Sequence, residues 1–168
     1  MTELHVDQFR SPVGILTLFV HGEALCGLDL LDPEDMRTRL AARYGGPRFV
    51  ERDDPAGHRT RLEAYFSGRL DALDEIAVET GGSPFQQQVW QALREIPCGR
   101  TRSYGDVAEA IGRPRATRAV GMANHHNPIA IVVPCHRVVG SDGSLGGYAG
   151  GAARKRWLLA HEGALLLA

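Results

Sequence analysis

The first third of the chain alternates short apolar runs with turn residues. Residues 4–9, 15–20 and 25–31 are rich in β-branched and aliphatic side chains, and Pro12-Val13-Gly14 and His21-Gly22-Glu23 separate them. That spacing predicts three strands of an antiparallel meander. Asp32-Pro33 opens a helix to about Tyr44, and Gly45-Gly46-Pro47 closes it. Residues 58–67 read as a second helix with Leu62, Tyr65 and Phe66 on one face, and residues 72–78 as a further strand.

Thr80-Gly81-Gly82 marks a boundary, so the expectation is two domains, 1–80 and 81–168. Beyond it the chain reads as mostly helical. Ser83 is an N-cap, Pro84 the first helical residue and Gln86 the partner of a capping box. Phe85, Val89, Trp90, Leu93 and Ile96 form the buried stripe, and Pro97-Cys98-Gly99 ends the helix. Ser103-Tyr104-Gly105-Asp106 caps a second helix over 107–111. Gly112-Arg113-Pro114 turns the chain, and residues 115–124 make a third helix. Two short helices joined by a Gly-containing turn are the helix-turn-helix outline. The third helix carries Arg115, Thr117, Arg118, Ala119 and Asn124; its small residues allow close approach to a groove wall, and its arginines supply charge. The bland alternative is a helical hairpin whose alanines pack on the core.

The chain has 168 residues, 43% hydrophobic and 23% charged, as expected of a globular protein with a real core. No apolar run approaches the length of a membrane helix. The start, Met1-Thr2-Glu3-Leu4-His5, is not that of a secretory signal. Three widely spaced cysteines, Cys26, Cys98 and Cys135, make no disulfide framework and fit a reduced, intracellular setting. The net charge of −1 conceals an asymmetry. Residues 1–83 carry nine arginines against fifteen acids, and residues 84–168 carry nine arginines and one lysine against five acids. A basic second half points to a polyanionic partner. That single lysine among nineteen basic residues reads as a compositional effect.

Ile129-Ala130-Ile131-Val132-Val133 reads as an apolar strand, and Pro134-Cys135-His136-Arg137 follows it. Buried free cysteines are usually inert, the reading for Cys26 and Cys98. Cys135 differs: a rigid strand would hold it beside His136 and Arg137. A free thiol of pKa about 8.5 needs a cation or a base to become nucleophilic near neutrality. His136 is adjacent in sequence, so a bridging water or another orientation is open. Glu162 is a candidate orienting group for that base. Residues 140–151 form a glycine-dense segment able to fold over a planar ligand.

The motif Pro134-Cys135-His136-Arg137-Val138-Val139 resembles the active-site signature of the O6-alkylguanine-DNA alkyltransferases, the methylated-DNA–protein-cysteine methyltransferase family. Phe85-Gln86-Gln87-Gln88-Val89-Trp90, Ser103-Tyr104-Gly105, Arg118-Ala119-Val120-Gly121, Asn127-Pro128 and Gly147-Tyr148-Ala149-Gly150-Gly151 are similar to further family motifs and stand in the same order. The resemblance is dense over 83–163 and loose before it.

The resemblance implies a ribonuclease-H-like α/β N-terminal domain with a small antiparallel sheet and helices. It implies a mainly α C-terminal domain whose helix-turn-helix docks in the DNA minor groove. Cys135 would accept the alkyl group once, irreversibly. His136 would activate it through a water, Glu162 would orient His136, and Tyr104 would donate toward the leaving guanine. Arg118 would fill the space left by the flipped nucleotide. Val138, Tyr148, Ala149 and Gly150 would form the base pocket, and Asn127 a structural link. The implied partner is double-stranded DNA carrying O6-alkylguanine, with O4-alkylthymine a second lesion. No cofactor, metal or membrane is implied, and the protein would act as a cytoplasmic, bacterial monomer, cooperative binding on DNA being left open. The competing readings are a non-catalytic lesion-binding protein, against which Cys135 argues, a Cys-His hydrolase, and a transcription regulator.

Overall fold

The computed structural model describes residues 1–164; the last four residues of the expected 81–168 domain lie outside them. The described residues form a mixed α/β structure that divides into two compact units. The first comprises Met1–Gly81 and Pro128–Val132, and the second, among the described residues, 82–127 and 133–164.

In the first unit, β1 (Glu3–Ser11), β2 (Gly14–His21) and β3 (Ala24–Asp29) form the expected antiparallel meander. A fourth strand, β4 (Arg48–Glu51), was not expected from the sequence. It pairs parallel with β1 and gives the order β3-β2-β1-β4. Four residues with exposed Arg48 and Glu51 at the ends carry too little alternation to be read locally. Helix α1 (Pro33–Tyr44) starts on Asp32, whose side chain accepts from Asp35 N, and stops at Gly45 in the left-handed region (φ 69°). Met36 and Leu40 of α1 pack with Leu4, Val6, Phe19 and Cys26 in one core cluster. Gly27 makes this approach possible: a Cβ there would lie 3.2 Å from both Met36 Sδ and a Phe19 ring carbon. Helix α2 (His58–Phe66) buries Leu62 and Tyr65.

The strand expected over 72–78 is not formed. Leu70–Leu73 is a 3-10 turn, and pairing is limited to one parallel bridge, Leu25 with Val78. Asp71, Asp74 and Glu75 interrupt the apolar run, and alternation survives only at its end. The strand expected over 129–133 is also replaced. Ile129 bridges Leu28 in the first unit, Leu28 N donating to Pro128 O at 3.0 Å. The chain then turns sharply at Ile131, which has φ 72° and lies between Ala130 O and Val132 N, 2.8 Å apart. A β-branched residue in that region carries strain of about 1–3 kcal/mol.

In the second unit, α3 (Pro84–Arg94) has the expected capping box, with Ser83 and Gln86 side chains each accepting from the other's backbone N–H. Trp90 of α3 donates from Nε1 to Ala123 O at 2.9 Å. That oxygen belongs to α5 (Thr117–His125), which α4 (Tyr104–Ala110) precedes. Helix α4 is capped by Ser103 and Asp106 in the same reciprocal way. Two two-residue strands, β5 (Arg102–Ser103) and β6 (Val138–Val139), pair parallel and fix the entry to α4 beside the segment after Cys135. Helix α6 (Ala152–His161) completes the unit, and no helix among the described residues is long and apolar enough to cross a membrane.

Candidate active site

Cys135 lies in the 3-10 turn Cys135–Arg137, and Cys135 N donates back to Val133 O at 2.8 Å across Pro134. A tight turn, rather than a strand, therefore presents the thiol. Two amides hold it. Asn127 Nδ2 donates to Val133 O at 2.7 Å, and Asn124 Nδ2 donates to Cys135 O at 3.4 Å. Burial pushes the Cys135 thiol up from its ordinary value, partly offset by a hydrogen bond with Asn127 and the positive charge of Lys155. The resting group is a neutral thiol that needs a base.

His136 is fully buried, and its Nε2 lies 2.9 Å from Glu162 Oε2. Arg137 holds the same carboxylate, with Nε at 2.8 Å from Oε1 and Nη2 at 3.1 Å from Oε2. Its Nη1 donates to Ile96 O at 2.7 Å. Burial alone would raise the Glu162 pKa, but hydrogen bonds and charge from His136 and Arg137 outweigh it and hold the carboxyl well below the usual range. Burial lowers the His136 pKa against the pull of Glu162. The pair is therefore carboxylate and neutral imidazole, with Arg137 as the countercharge. An ionised Glu162 can only accept, so Nε2 carries the proton and Nδ1 keeps its lone pair. That Nδ1 is buried and has no hydrogen-bond partner, as is true of Asn124 Oδ1 and Tyr148 Oη.

Tyr104, the first residue of α4, packs its ring against Gly121, where a Cβ would sit 3.9 Å away. Its hydroxyl would be 3.3 Å from a Cβ at Gly146. Burial, and then the charge of Cys135, push its pKa up, so it is a proton donor at neutral pH. Val138 is fully buried, Gly150 is buried and Ala149 exposed. The Tyr148 ring hydroxyl is buried, and burial raises its pKa well above the ordinary value.

Arg115, Thr117, Arg118 and Ala119 are all exposed at the start of α5, and Met122 continues that face. Arg113 in the preceding turn lies over the Phe85 ring at 5.9 Å. Asn124 does not share this face. Read from the sequence as a DNA contact, it is only 5% exposed and engages the backbone of Cys135.

Lys155 was overlooked in the sequence. The chain's single lysine is fully buried, donating from Nζ to Val138 O at 2.6 Å and toward Gly147 O at 3.3 Å. It ties the exit of the cysteine turn to the glycine-rich segment. Burial lowers its pKa to about 8, against the opposing effect of Cys135. Its rarity among nineteen basic residues was the available signal.

The profile described as "6-O-methylguanine DNA methyltransferase, DNA binding domain" matches residues 84–164. A methylated-DNA–protein-cysteine methyltransferase of Shigella flexneri is 54% identical over 99% of this chain and its own full length. One of Salmonella typhimurium is 46% identical over the same shares. The crystal structure of Mycobacterium tuberculosis OGT in complex with DNA has a TM-score of 0.82 at 44% identity, covering 95% of this chain and 92% of that one. With its cysteine turn, its buried histidine and carboxylate and likeness of this extent along its whole length, the chain belongs to the methylated-DNA–protein-cysteine methyltransferase family.

Proposed function

We propose that this protein reverses alkylation damage in DNA by moving the alkyl group of O6-alkylguanine onto Cys135, once per chain. The observation that carries the reading is the unpartnered Nδ1 of a neutral, buried His136, held by a Glu162 that Arg137 fixes in turn, in the residue next to a buried thiol. His136 takes the thiol proton at Nδ1, directly or through one water. The sulfur attacks the alkyl carbon, the S–C bond forms as the C–O6 bond breaks, and guanine leaves with the electron pair. Tyr104 donates toward the ring as that charge develops, and the proton first held by His136 makes up the balance. The product is a thioether with no hydrolytic route back, so each molecule is consumed.

Chemistry on a base edge requires the nucleotide to leave the stack, at a cost of a few kcal/mol that is least for a badly paired lesion. The α4–turn–α5 segment serves as the helix-turn-helix. Arg115, Thr117, Arg118 and Ala119 face DNA, and the small side chains suit the narrow minor groove. Arg118 enters the gap left by the flipped nucleotide. Val138 and the Tyr148–Gly150 backbone hold the base, and O4-alkylthymine is the second substrate. In the first unit the order β3-β2-β1-β4, with β4 parallel to β1 after α1, supports the ribonuclease-H-like reading. The protein works as a monomer in the cytoplasm.

The test is intact-protein mass after mixing with a short duplex carrying one O6-methylguanine. A gain of about 14 Da, saturating at one per chain and absent in Cys135→Ser, is expected of a covalent acceptor. Tight binding with no gain would instead make the protein a lesion-binding module.

A further inference from the structure

Helical phase divides α5 into two faces. Val120, Ala123 and Asn124 are buried, and Gly121 meets the Tyr104 ring. Met122 stands between them in sequence but points about 160° away from Val120 and Asn124. It is 58% exposed, and among the described residues no other large hydrophobic side chain of the second unit is exposed. Its neighbours on the outward stripe are Arg115, Arg118 and Ala119, and exposed Arg113 and Pro114 lead into that stripe. Cationic and apolar positions therefore interleave along one line.

A DNA minor groove is complementary to such a line, with anionic phosphates on its rims and apolar deoxyribose faces on its walls. An unbranched thioether is slender and adaptable, which suits a groove about 6 Å wide. Four residues at about 1.5 Å each place Met122 about 6 Å along the helix from Arg118, less than two base steps of about 3.4 Å from the gap that Arg118 enters. We infer that Met122 is an apolar wedge that packs against the sugars and base edges flanking this gap and so favours the opened duplex over the stacked one. The inference rests on the proposed alkyl-transfer function and adds to it an uncharged insertion beside Arg118. Stacked steps offer a wedge little surface. Once the nucleotide has swung out, the exposed part of the side chain leaves water against the steps that remain. The contact stabilises the flipped state more than the first encounter.

Cys135→Ser, which lacks the acceptor thiol, isolates binding from transfer. In that background Met122→Ala, Met122→Leu and Met122→Gln would be titrated by fluorescence anisotropy with matched duplexes carrying guanine or O6-methylguanine, between about 50 and 200 mM salt. Burying most of a methionine side chain predicts that Met122→Ala weakens binding to the lesion duplex by on the order of tenfold, with a smaller loss on the intact duplex. The salt slope should match that of the parent, because no phosphate contact is removed. Met122→Leu should restore most of the affinity, and Met122→Gln, of similar length but polar, should not. The position is exposed, so none of these changes disturbs the core. A Met122→Ala affinity within about twofold of the parent on the lesion duplex overturns the inference. So does an equal loss on both duplexes, or a recovery by glutamine as full as that by leucine. In each of these cases methyl transfer to Cys135 still stands. No mass gain by the wild type on the lesion duplex would refute the proposed function itself.

Discussion

Replacing Glu162 by glutamine changes one atom and removes one charge at the centre of the site. The carboxylate accepts N–H bonds from His136 Nε2, Arg137 Nε and Arg137 Nη2, at 2.9, 2.8 and 3.1 Å. A glutamine has one acceptor oxygen, so if that oxygen serves Arg137 its NH2 group faces His136. That contact favours a lone pair on Nε2 and the proton on Nδ1, and the base is lost. General-base assistance is worth about 10²–10⁴-fold, so the single-turnover rate of methyl transfer should fall by that factor. Arg137 is left buried without its countercharge, which costs about 3–5 kcal/mol. For a chain of this length that corresponds to a fall in Tm of roughly 6–20 °C. The Glu162 pKa is held below its unfolded value of 4.5, so the carboxylate's contribution is complete above that pH and is lost as pH falls below it. The stability gap between wild type and Glu162→Gln should therefore close in acid. Quenched-flow mass spectrometry gives the rate and urea denaturation across pH gives the gap. A Glu162→Gln protein that transfers methyl within about threefold of wild type would refute the tautomer argument.

Three further outcomes follow from the same geometry. In Lys155→Met the buried ammonium is gone. A folded-state pKa of about 8 against 10.5 unfolded means the unfolded chain holds the extra proton between those values, so wild-type stability should gain on the variant as pH rises through that window, and a flat difference curve would count against it. Gly82→Ala places a Cβ 2.7 Å from the Trp90 ring at a φ of +84°, so urea denaturation should show a loss of about 1–3 kcal/mol, and a neutral result would mean that the turn and Trp90 yield freely. Arg118→Ala should slow repair of duplex substrate more than reaction with the free modified base; equal slowing would contradict the proposed entry of Arg118 into the base stack.

Local signals were legible where local physics decides. Asp32, Ser83 and Ser103 each announce a helix start, and each side chain accepts from the backbone N–H three residues on. The meander of β1 to β3 was readable from short apolar runs set off by Pro12-Val13-Gly14 and His21-Gly22-Glu23. The apolar run 129–133 misled because β-branched composition favours a strand, whereas the bridge to Leu28 and the tight turn at Ile131 are set by residues a hundred positions away. Cys135, His136 and Glu162 stood out by chemistry and resemblance. Lys155 and the inward face of Asn124 did not, since helical periodicity marks a buried stripe but does not say that a polar member of it has found a backbone oxygen.

The excursion of Pro128–Val132 into the first unit also bears on how the protein could be divided. A fragment beginning at Gly82 would contain every residue assigned to the chemistry. It would also contain the buried Ile129 and Ile131, now without the strand that Ile129 bridges, a few residues before the reactive thiol. Cutting the chain at the glycine pair therefore does not yield two modules. The strained turn at Ile131 would be free to relax, and relaxation there would propagate directly into the aim of the sulfur. A shortened protein should therefore lose reactivity before it loses its helices.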